Sequence, residues 1–87
     1  MDAIDLFNAA LDASADEDTA QRNLSRALAS RDDFATFVAY DDAVRAARAA
    51  LTVAQGFARA AMQAYLDAER VAGAQILADR AAALESA

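Results

Sequence analysis

The chain has 87 residues, a mean hydropathy near zero and a formal net charge of −6. This length allows one domain with a modest core. It contains no Cys, His, Pro or Trp, and all eight of its basic residues are Arg. These absences exclude disulfides, thiolate and imidazole metal sites, His general bases and Schiff-base lysines.

Hydrophobic residues make up 57% of the chain, but much of that share is Ala, and large apolar side chains are sparse. Ala, Leu and Arg are good helix formers. β-Branched residues do not cluster and no period-two alternation persists. The expectation is an all-α fold: a single domain over 1–87, built as a small bundle of three to five helices. The N-terminus lacks the basic start and long apolar run of a signal peptide. Arg45, Arg48 and Arg59 interrupt the most Ala-rich stretch, which argues against a membrane span. The expected location is the cytoplasm, or a particle assembled there.

The first predicted helix runs from about Asp2 to Ala13. Asp2 serves as N-cap, and Ile4, Phe7 and Leu11 form one apolar stripe. A loop around Ser14–Asp18 follows, with Ser14-Ala-Asp-Glu17 in the spacing of a capping box. Asp16, Glu17 and Asp18 then suit the first turn of a second helix over roughly 15–29. They lack the alternating spacing of a calcium loop. Ser30-Arg-Asp-Asp33 is a second box-like start, followed by the apolar turn of Phe34, Phe37 and Val38. Asp41-Asp42 either caps a new helix or lies on the solvent face of a continuous one.

The clearest element is a long Ala-rich helix over about 43–72. At 100° per residue, Val44, Ala47, Leu51, Ala54, Ala58, Met62, Tyr65 and Ala72 share a stripe. Further apolar residues, among them Ala46, Ala50, Val53, Phe57, Ala61, Ala64 and Val71, widen it to about half the circumference. That width implies burial between two or more helices, with coiled-coil-like packing. On the opposite face Arg48, Arg59 and Arg70 recur every 11 residues, which keeps them nearly aligned on a straight helix. They are either a solvated face or a stripe facing acidic groups, for which the N-terminal half is a candidate. Gly56 marks a close approach or a kink. Gly73 is the expected break before a final helix over about 74–85.

Charge divides the chain. Residues 1–42 carry a net −7 and residues 43–87 a net +1. An acidic chain is a poor match for direct contact with nucleic acid. No catalytic residue is assigned: Ser14, Ser25, Ser30 and Ser86 have no His or Lys to activate them. No metal or cofactor is assigned either. The adjacent Asp32-Asp33 and Asp41-Asp42 pairs diverge on a helix, and no glycine-rich phosphate loop exists.

Two functions fit this sequence. One is a non-enzymatic structural subunit that self-associates or joins a larger assembly, such as a viral particle, through its Ala-rich faces. Its expected contact centres on Ala50, Leu51, Ala54, Phe57, Ala58, Ala61, Met62 and Tyr65. The other is an acidic inhibitor or adaptor that presents residues 1–42 to a basic or nucleic-acid-binding partner.

Overall fold

The computed structural model describes residues 2–86; the chain ends Met1 and Ala87, which belong to the expected 1–87 domain, lie outside the described residues. The all-α expectation holds, but the bundle of three to five helices does not. Two α-helices form an antiparallel hairpin: α1, Ala3–Ala29, and α2, Phe37–Ser86. A single 3-10 turn, Arg31–Asp33, lies between them. At about 1.5 Å per residue the 50-residue α2 should measure about 75 Å, and the molecule is 78 × 17 × 15 Å across.

Two expected boundaries are absent, and a third site that the sequence left open is continuous helix. Ser14–Glu17 does not separate two helices, and α1 runs through it. No Gly or Pro interrupts the backbone there, so a break would forfeit helical hydrogen bonds and the packing of α1 for one capping interaction. Asp41-Asp42 lies inside α2, where Asp41 pairs with Arg45 at 2.9 Å. Gly73 does not end α2 either. An interior Gly costs about 1 kcal/mol relative to Ala, less than renucleating a helix beyond it. Gly56 is likewise carried within α2.

The true ends have clear local causes. Asp2 caps α1 as expected, its Oδ1 accepting from the Asp5 amide at 2.9 Å. At the other end Ser30 opens only the 3-10 turn, and without a side-chain cap: its hydroxyl donates back to the Arg26 carbonyl. The cap of α2 is Thr36, whose Oγ1 accepts from the Ala39 amide at 3.1 Å. The Tyr40 hydroxyl donates to the Leu28 carbonyl at 3.1 Å and ties the two helices together beside the turn. Phe34 and Phe37 pack at 6.1 and 6.2 Å from the Tyr40 ring, and the Arg31 guanidinium lies 5.5 Å from both the Phe37 and Tyr40 centroids. The apolar turn is thus an aromatic clamp on the hairpin. At the open end Phe7 meets Tyr65 with centroids 5.4 Å apart.

Between clamp and Tyr65 the helices pack along a seam of alternating three- and four-residue steps. Covered positions follow 3, 6, 10, 13, 17, 20, 24 and 27 on α1, and 40, 44, 47, 51, 54, 58, 61, 65 and 68 on α2. That 3.5-residue period is the coiled-coil repeat. It corrects the stripe drawn at 3.6 residues per turn, which drifts by about 20° per heptad. Val44, Ala47, Leu51, Ala54, Ala58 and Tyr65 do turn towards α1. Ala61 takes the place expected for Met62, and Ala72 is exposed.

Candidate functional site

The core is thin. Among the described residues only Ala10, Ala20 and Val44 are buried, and no large side chain is fully enclosed. The eight residues expected at an interaction surface divide between two faces of α2. Leu51, Ala54, Ala58, Ala61 and Tyr65 are half-buried against α1. Ala50 and Phe57 are exposed on another face, and Met62 is exposed at the seam's edge, in a shallow groove with Ser14, Glu17 and Arg59.

The face holding Ala50 and Phe57 is a second seam. It runs from position 39 to position 81 in the same three- and four-residue steps, and up to position 67 each position lies one residue before its counterpart in the inner seam. One residue turns a helix by about 100°, so the two seams lie roughly at right angles. Every residue along the outer seam is Ala except Val53, Phe57, Asp67 and Val71. Val53, Phe57 and Val71 are 58%, 69% and 70% exposed. Two shallow grooves flank Phe57: one is lined by Asp16, Ala49, Ala50, Val53 and Ala54, the other by Thr52, Val53, Gly56 and Ala60. A Cβ on Gly56 would meet nothing within 4 Å, so this glycine serves no close approach within the chain.

Among the described residues the charged groups form no bridge between helices. Both ion pairs among the described residues, Arg45–Asp41 and Arg70–Asp67, lie within α2. The Arg stripe therefore does not pair with the chain's own acidic half. In a 3.5-residue frame Arg48, Arg59 and Arg70 wind around α2 rather than line up. Asp5, Asp12 and Asp16, at steps of seven and four, share one flank of α1, and Asp16 places that flank beside the outer seam of α2. Asp67 interrupts that seam, but its Oδ1 is held by Gln63 Nε2 at 2.9 Å and Arg70 at 3.3 Å.

Among the described residues no group of three or more acidic side chains is placed to hold a metal ion. Nor is any helix there long and apolar enough to cross a membrane. Compared with models of known protein families, with curated proteins and with solved structures, the chain matches none of them.

The half-circumference apolar surface of α2 is legible in the sequence, but at a period of 3.6 residues its two seams merge into one. The signal that separates them is the one-residue offset between two strict heptad series, visible only when the period is set to 3.5.

Proposed function

We propose that the chain is a non-enzymatic assembly subunit acting through helix packing. The observation that carries this reading is the mismatch between its thin inner seam and its long uncovered outer one. A chain of 9.1 kDa folded compactly would expose about 4,900 Å², and this one exposes 6466 Å². Its radius of gyration is 21.4 Å, against about 12 Å for a compact domain of this length. Exposed apolar side chains arranged in such a register are what a helical partner would cover. The partner class is protein, either further copies of the chain or another helical subunit.

A second reading keeps one specific support. Asp5, Asp12 and Asp16 stand exposed on one flank of α1, and no ion pair among the described residues engages them. An acidic face of that kind suits an inhibitor or adaptor docking on a basic protein. Native mass spectrometry separates the two. The assembly reading expects an oligomer that persists at high salt. A monomer that binds basic proteins only at low salt would replace it with the second reading.

A further inference from the structure

We infer that the occupant of the outer seam is a second copy of this chain, its α2 lying antiparallel on the first. This rests on the assembly reading and specifies its contact. The two seams of α2 lie about 100° apart. That is close to the angle between two neighbours of a helix standing at the corner of a square. One neighbour, α1, is present. The other is missing along the whole outer seam.

The area is adequate. From position 39 to position 81 the seam is about 63 Å long, and a helix is about 10 Å across, giving about 600 Å² per copy. Standard interfaces cover about 800 Å² per partner, and the flank of α1 beside the seam adds to the contact. The protomer exposes about 1,600 Å² more than a compact chain of its mass would.

The pattern also selects the orientation. A parallel pair in register would set Asp67 against Asp67 and Phe57 against Phe57. An antiparallel pair allows a register in which every large residue meets a small one. Phe57 then meets Ala60, Val53 meets Ala64, and Val71 meets Ala46. Asp67 meets Ala50, its carboxylate already drawn aside by Gln63 and Arg70. The same register covers the end of α2 that projects beyond α1. Residues 74–86 are exposed throughout the protomer. In the dimer Ala74 lies against Ala43, and Ala78 against Ala39, of the other copy. Such a two-fold contact is closed and self-complementary.

One electrostatic consequence follows. An antiparallel pair brings like flanks together, so Asp5, Asp12 and Asp16 of both copies, with Arg26 on the same flank, stand on the same side at a net negative charge. Screening by salt relieves their repulsion. Dimerisation should therefore tighten as salt is raised, the opposite of docking on a basic partner.

The chain has no Cys, so introduced pairs report the geometry directly. Ala39→Cys mixed with Ala78→Cys should form disulfide-linked dimers under mild oxidation, and neither variant alone should do so. In sedimentation equilibrium Phe57→Glu should weaken dimerisation by about 30-fold or more. Arg48→Gln, on the face of α2 turned away from the seam and lining neither groove beside Phe57, should leave it nearly unchanged. Self-linking of Ala39→Cys alone would overturn the antiparallel orientation. A dimer indifferent to Phe57→Glu and showing no mixed cross-link would overturn this seam while sparing the assembly reading. A cooperatively folded monomer at high micromolar concentration would overturn both. If Phe57→Glu fails to fold, the cross-linking pair decides.

Discussion

Leu51 and Thr52 are neighbours in sequence and face different surroundings. Leu51 is half-buried against α1, while Thr52 is exposed and its hydroxyl donates to the Arg48 carbonyl at 3.1 Å. Leu51→Asp would force a carboxylate with no cationic partner into the inner seam, at a cost above about 2 kcal/mol. Thr52→Asp would leave its carboxylate in water and should change stability by about 0.5 kcal/mol or less. Urea unfolding of the two variants checks the contrast; equal midpoints would mean that the inner seam is misplaced. The phase of this pair is legible from residues alone, because Val44, Ala47, Leu51, Ala54 and Ala58 form an unambiguous stripe. Met62 was not, because accumulated drift between 3.6 and 3.5 residues per turn moves the expected position from 61 to 62.

At the scale of elements, the chain obeys its helix formers more than its punctuation. Ser14–Glu17, Asp41-Asp42 and Gly73 all carry local features that suit a helix end, and α1 or α2 continues through each. Capping and glycine effects are worth about 1 kcal/mol apiece. A break there would cost a renucleation and the contacts of a whole helix segment. Only at residues 30–36 do several such features coincide: the Ser30 back-bond, the Arg31–Asp33 turn, the aromatic clamp and the Thr36 cap. The position of Gly73 makes a direct test. A Cβ there would meet nothing within 4 Å, and its backbone is helical. Gly73→Ala should therefore stabilise the protein by about 0.5–1 kcal/mol, read as a raised urea midpoint with unchanged slope. A destabilisation would show that the glycine is required by a contact outside the protomer.

For the molecule as a whole, the hairpin is a long, narrow unit, and the proposed assembly ties its stability to what lies on its outer seam. Three buried residues, the largest of them Val44, offer little area at ~25 cal/mol per Å². A chain that gains its remaining burial from another copy unfolds and dissociates in one step, so its thermal midpoint depends on concentration. The midpoint followed by circular dichroism should rise by several degrees between low and high micromolar protein. A midpoint constant over that range would show that the hairpin sustains itself.

Composition and periodicity alone settled that the chain is helical, that Asp2 begins the first helix, and that α2 is apolar over half its circumference. Those properties are local: each depends on residues within a turn or two of one another. How many helices form was decided by tertiary packing, because continuity through Ser14–Glu17 gains from the cover α1 gives α2. The division of the Ala-rich surface into an inner and an outer seam was decided there too. Both seams are Ala-rich series at the same spacing, each with a few larger apolar residues. Which of them receives α1 depends on where the turn at residues 30–36 and the Tyr40–Leu28 hydrogen bond return the chain.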